Sequence, residues 1–304
     1  MINSSLTTPS SLNGSSQHSG MNNTTDYSPR VIYDYSEKII LLVICVFGLV
    51  GDAVVIWLLG FRIKKNFFSI YILNLAVADF GVLVVLTVFF SLNIAVEGHF
   101  LFKFILQELY IFMYNSSQFL LAAISIDRCV CILFPIWRRI HQPSRLSVTV
   151  CALIWVISFL LNAIHFILFI TGSWNKKLTY YQFFLNVLIC LPVMTISTLF
   201  LLTKFCFKSQ LGLQRKPLTI ILLTLIFFLI FAFPLNAFYF INYFSNFAYP
   251  KLYIYGYIGA SLNSSVNPLI YFLVGRQRRS QSMESIKSVF QRVFTEEQSC
   301  SSEL

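Results

Sequence analysis

The sequence predicts an all-α membrane protein: a seven-transmembrane helix bundle followed by a short amphipathic C-terminal helix on the inner leaflet. Three observations lead there. Of 304 residues, 57% are hydrophobic and only 11% are charged, whereas soluble domains run near ~25% charged. Seven apolar runs of bilayer-crossing length, roughly 20 residues, occupy 39–60, 67–92, 104–134, 147–170, 180–205, 217–243 and 252–274. Lys and Arg cluster at alternate ends of these runs. The connections are too short for a second domain. The predicted organisation is a disordered extracellular tail (1–38), the bundle (39–274), the amphipathic helix (275–294) and a cytoplasmic tail (295–304).

The charge pattern sets the orientation. Sixteen of the 22 basic residues fall on one side, among them Arg62, Arg128, Arg138, Arg139, Lys204, Arg215, Arg276 and Arg279. By the positive-inside bias this places the N-terminus outside and the C-terminus in the cytosol of a multi-pass membrane protein. A net charge of +10 arranged in this way suits anionic lipid rather than nucleic acid. Of the seven Cys, none falls in an outer loop, so no extracellular disulfide framework is expected.

The first 30 residues are rich in Ser, Thr and Asn and carry sequons at Asn3, Asn13, Asn22 and Asn23; an outside tail makes these expected glycosylation sites. No basic start followed by an apolar stretch is present, so the first span is expected to act as the insertion signal. That span carries Asp52, and the second carries Asp79. Carboxylates at such depths require a polar interior. The third span adds Ser117 and ends in Asp127-Arg128-Cys129. Trp155 lies in the fourth span, while Pro192, Pro234 and Pro268 mark expected kinks in the fifth, sixth and seventh. Ser261, Asn263, Ser264, Ser265 and Asn267 form a polar stripe just before Pro268. With Asp79 and Ser117 they make a candidate pocket for a small cation, or a purely structural polar network. The sequons at Asn115 and Asn263 lie within spans and are expected to stay bare. Ile286, Val289, Phe290, Val293 and Phe294 share one helical face, with basic residues between them.

Leu75-Ala76-Val77-Ala78-Asp79, Asp127-Arg128-Cys129, Trp155, Pro192, Pro234 and Asn267-Pro268-Leu269-Ile270-Tyr271 occur in order on the expected spans. Jointly they resemble a rhodopsin-like (class A) G-protein-coupled receptor. Finer phrases are similar to the Mas-related receptor family: Ala122-Ala123-Ile124-Ser125, Phe134-Pro135-Ile136-Trp137 and Phe228-Leu229-Ile230-Phe231-Ala232-Phe233-Pro234. Cys129 after the Asp-Arg pair and Ala232 in place of a sixth-span Trp fit that family. Asp52, where Asn is usual, and Phe200, where many receptors have Tyr, depart from it.

The resemblance implies a receptor that converts binding of an extracellular ligand into heterotrimeric G-protein activation. Asp127, Arg128, Cys129, Asn267, Pro268 and Tyr271 take the switch positions. Asp79, Ser117, Asn263, Ser264 and Asn267 match a sodium pocket, with a sodium ion at Asp79 as the possible cofactor. Asp52 complicates that pocket, because two nearby carboxylates cannot both ionise cheaply. No acid stands at the start of the sixth helix, where Gln214 lies; a second clamp on Arg128 is therefore not expected and some basal activity is. Amine receptors carry an Asp about five helical turns before the Arg; Tyr110 stands here. The ligand pocket is expected from Glu108, Tyr110, Tyr114, His165, Asn236, Tyr239, Tyr253 and Tyr257, open and shallow beneath a short second outer loop, with Glu108 available to a basic peptide or cationic small molecule. An enzyme is not expected: no nucleophile–base–acid constellation, phosphate loop or HExxH occurs. A non-signalling decoy receptor and, further off, a transporter remain the alternatives.

Overall fold

The computed structural model describes residues 29–63, 67–95, 100–133, 145–173, 183–207, 215–231, 233–244 and 250–275. The sequons at Asn3, Asn13, Asn22 and Asn23, the amphipathic helix 276–294 and the tail 295–304 lie outside the described residues, as do Gln214 and most of the second outer loop. Among the described residues there is no strand. Apolar surroundings offer backbone groups no water, so helices that satisfy their own N–H and C=O groups are the favoured answer.

The elements are α1 (Pro29–Trp57) running into a π turn (Leu58–Arg62), α2 (Phe67–Ala95), α3 (Phe100–Leu133) and α4 (Leu146–Ile170). A second π turn (Asn186–Cys190) leads into α5 (Leu191–Phe207). The sixth span is two helices, α6 (Arg215–Phe231) and α7 (Phe233–Phe244), and the seventh is α8 (Pro250–Gly275). Six stretches are long and apolar enough to cross a membrane: Tyr35–Arg62, Phe67–Asn93, Phe100–Cys131, Leu146–Ile170, Phe183–Thr203 and Leu222–Ile241. At 26 residues α8 is also long enough, but its inward side carries the polar stripe.

One boundary differs from expectation. Residues 29–38, expected in the tail, are the first turns of α1. Pro29 opens the helix, a position where its missing N–H costs nothing. Glu37 accepts a 3.0 Å hydrogen bond from the Tyr255 hydroxyl and so ties this extension to α8.

The helix α3 runs antiparallel to α2 and α4. Phe104 near the start of α3 stacks on Phe169 at the end of α4, with centroids 3.6 Å apart, and Arg128 near the end of α3 meets Phe68 at the start of α2. The helix α3 is central, packing on α2, α4, α5 and α6, while α1 packs on α2 and α8. On α4, Val156, Phe159, Leu160 and Ile164 are exposed, as befits a lipid-facing rim. Close approach of α1 to α8 depends on Gly48, where a Cβ would collide with the Ser265 side chain.

Two apolar cores stack along the bundle. One includes Val55, Leu75, Leu121, Phe228 and Tyr271; the other includes Leu41, Leu86, Tyr110 and Tyr257. Along α1, α2, α3 and α8 the change from one core to the other falls at Asp52, Asp79, residues 115–118 and residues 261–267. A polar layer therefore crosses the middle of the bundle.

Pro192 is the second residue of α5, directly after the π turn, and Pro234 is the second residue of α7. Proline cannot donate the backbone bond of a continuing helix, so the π turn before Pro192 coincides with a missing donor. Pro268 lies inside α8.

Candidate functional site

The polar layer centres on Asp79, which is fully buried. Its Oδ1 accepts hydrogen bonds from Ser117 Oγ (2.8 Å) on α3 and Ser264 Oγ (2.9 Å) on α8. Its Oδ2 accepts one from Asn267 Nδ2 at 2.8 Å. Three helices are thus held by one carboxyl. Asn263 is buried on α8 but makes none of these three bonds. Asp52 is equally buried, yet neither of its oxygens has a hydrogen-bond partner among the described residues. It stands within electrostatic reach of Asp79. A buried, unpartnered carboxyl is costly, so this position is unlike the rest of the layer.

Towards the Glu108 end lies an aromatic chamber. Tyr110 stacks on Tyr114 (centroids 5.6 Å) and meets Tyr257 at 5.0 Å. Tyr253 packs edge-on to Tyr257 at 4.8 Å, and Tyr239 stacks on Phe183 at 3.7 Å. The Tyr239 and Tyr257 hydroxyls are 3.0 Å apart, Tyr257 donates to Gln107 Oε1 at 3.2 Å, and Asn236 Nδ2 donates to the Tyr114 hydroxyl at 3.0 Å. Where an open, shallow site was expected, Tyr110, Tyr114, Tyr239 and Tyr257 are all buried; mutual ring stacking removes more apolar surface from water than an open cup would. The Tyr110 hydroxyl is buried with no partner among the described residues.

Glu108 departs from expectation too. Its Oε1 lies 2.8 Å from His165 Nδ1, with both side chains about 5% exposed or less. Asn162, its amide nitrogen turned to Glu108, donates to the Glu108 carbonyl at 3.1 Å and to Oε2 at 3.2 Å. Glu108 and His165 are therefore brought to each other across the α3–α4 seam. The reason is helical phase: Glu108 is two residues, about 200°, from Tyr110 on α3.

At the opposite end, Arg128 is 7% exposed. Its Nε is 3.9 Å from Asp127 Oδ2, and its Cζ lies 3.8 Å from the ring centroid of Phe68. Cys129 Sγ approaches the Ser197 carbonyl at 3.9 Å, linking α3 to α5. Tyr271 is buried, within electrostatic reach of both Asp79 and Asp52.

Comparison with known proteins agrees with this arrangement. Residues 51–271 match the model of the 7 transmembrane receptor (rhodopsin family). The chain belongs to that family, and within it to the Mas-related receptors. It is 30% identical to Proto-oncogene Mas of Mus musculus over 96% of this chain and 92% of that protein. It is 36% identical to Mas-related G-protein coupled receptor member D of Macaca fascicularis over 83% of each. Identity to member X1 of Homo sapiens is 33% over 85% of this chain and 83% of that protein. The protein is thus a multi-pass membrane receptor and not an enzyme.

Several pairings of the receptor escape a reading of the sequence. Trp155 Nε1 donates to Asn74 Oδ1 at 3.0 Å, and Asn186 Nδ2 to Asn115 Oδ1 at 2.8 Å. Gln118 is buried with neither amide atom partnered among the described residues. Polar residues within apolar runs were a signal for all five. Phe68 gave none, being one of 32 phenylalanines.

Proposed function

We propose that this receptor resides in the plasma membrane with its N-terminus outside, binds a basic peptide or cationic small molecule, and activates a heterotrimeric G protein through Arg128. The observation that carries the reading is Arg128 itself, in a chain of this family. A permanently charged side chain at a helix end ordinarily snorkels to water; this one is turned inward to 7% exposure beside Asp127. Such a charge, released, is available to a docking partner.

The ligand's cation meets tyrosines in this reading. Glu108 is engaged by His165, whereas tyrosine faces attract cations without a carboxylate; Tyr253 is half-buried, and ligand entry in this reading opens the stacked Tyr110 and Tyr257 behind it. In this reading a small cation, sodium in the first instance, sits at Asp79 beside Ser117 and Ser264, with Asp52 a second acid within electrostatic reach. The ion would add positive charge to a layer holding two acids.

The test is G-protein activation in cells, read across several Gα families, first without ligand and then with basic peptides and cationic amphiphiles. A low basal signal, raised by at least one ligand and abolished by Arg128→Ala at equal surface expression, is the expected result. Silence throughout at confirmed surface expression would favour a non-signalling receptor. A ligand response unchanged in Tyr110→Leu and Tyr257→Leu would remove the tyrosine site.

A further inference from the structure

The geometry points to Phe68 as a positioning residue that latches Arg128 in its resting orientation through a cation–π contact between α2 and α3. This rests on the proposed role of Arg128 in G-protein activation. Three observations meet at this contact. The guanidinium carbon lies 3.8 Å from the Phe68 ring centroid, van der Waals stacking distance rather than the outer limit of such contacts at about 6 Å. Both partners are out of water, Phe68 at 2% and Arg128 at 7% exposure, and desolvation strengthens a cation–π contact. The contact with Asp127, the next residue on the same helix, is long, 3.9 Å from Nε to Oδ2.

The placement decides what the contact does. Asp127 moves with Arg128, so their pair survives any rigid motion of α3. Phe68 belongs to α2 and is seated in the apolar core with Ile72, Leu75 and Ile124. The stacking therefore senses the relation of one helix to another. A guanidinium lifted off the ring loses the ring's quadrupole but recovers water or an acidic or carbonyl partner, so the two positions differ modestly in free energy. A contact of this class shifts such an equilibrium about two- to thirty-fold. An aliphatic side chain of similar bulk at position 68 retains packing and loses only the π face.

The experiment has two arms on the full chain. In the first, the detergent-purified protein is taken through a thermal double-mutant cycle of Phe68→Leu against Arg128→Met. Non-additive shifts in unfolding temperature are expected, and additive shifts would overturn the contact. In the second, basal G-protein activation is compared at equal surface expression for wild type, Phe68→Leu and Phe68→Trp, each with and without Arg128→Ala. Phe68→Leu should raise the basal signal about two- to thirty-fold. Phe68→Trp should hold it at or below wild type, and Arg128→Ala should erase the rise. A merely structural Phe68 would instead lower signal in both variants, overturning the latch. Coupling in the first arm with no Arg128-dependent signal in any variant or with any ligand locates the failure in the receptor reading, and the latch falls with it.

Discussion

Replacing Asp79 by Leu keeps much of the side-chain volume and removes the acceptor for three donors: Ser117 Oγ, Ser264 Oγ and Asn267 Nδ2. A buried donor left unsatisfied costs about 1–3 kcal/mol, giving an upper range of about 3–9 kcal/mol for three. The two serines have an escape, because a helical Ser hydroxyl can turn back to the carbonyl one turn earlier. Asn267 has the same recourse, which Asn74 and Asn93 take with the Ile70 and Phe89 carbonyls, so about 1–3 kcal/mol, the cost of one donor, is the expected loss. Asp79→Asn behaves differently. Its remaining oxygen still accepts from both serines, and Asn267 need only rotate its amide to present oxygen to the new NH2 group. That variant should lie within about 1 kcal/mol of wild type, one net hydrogen bond. The assay is thermal unfolding in detergent followed with a thiol-reactive dye, since Cys45, Cys151 and Cys190 are buried and free. The order expected is wild type near Asp79→Asn, then Asp79→Leu well below. Equal unfolding temperatures for Asp79→Leu and Asp79→Asn would refute the claim that the three-donor geometry holds α2, α3 and α8 together.

Asp52→Asn should be tolerated or stabilising, because it removes a buried carboxyl whose oxygens have no partner; it should also strengthen the sodium dependence of agonist response, and an unchanged dependence would separate Asp52 from the Asp79 cluster. Glu108→Gln and His165→Gln should each lower the unfolding temperature by breaking the 2.8 Å pair, non-additively in the double variant, while cationic-agonist potency stays within about threefold of wild type, less than one lost neutral hydrogen bond; a tenfold potency loss in Glu108→Gln would return that carboxylate to the ligand. Gly48→Val should reduce surface expression and unfolding temperature, because any Cβ there meets Ser265, whereas Gly60→Ala, with open space around it, should not.

The membrane class, the spans and the family are written locally. Apolar runs and the order of Asp79, Asp127-Arg128, Pro192, Pro234 and Asn267-Pro268 are linear features, and each helix satisfies its own backbone without reference to its neighbours. The polar layer was half legible. Asp in an apolar run must face the bundle, but that Asp79 takes three donors while Asp52 takes none depends on how α1, α2, α3 and α8 are rotated about their axes. Residue type cannot express that rotation. The same limit hid Glu108. Counted along the chain it sits beside Tyr110; around α3 it faces the α4 residues His165 and Asn162 instead.

Composition and charge spacing alone thus determined that this chain is a membrane bundle, and its motifs that it is a Mas-related receptor, because burial in lipid and short-range sequence phrases need no partner. Only the tertiary structure decided that α1 begins at Pro29, that the tyrosines close on one another, and that Arg128 lies against Phe68. The last two are contacts between helices, set by side-chain packing at interfaces where a turn of a fraction of a helical residue exchanges one partner for another.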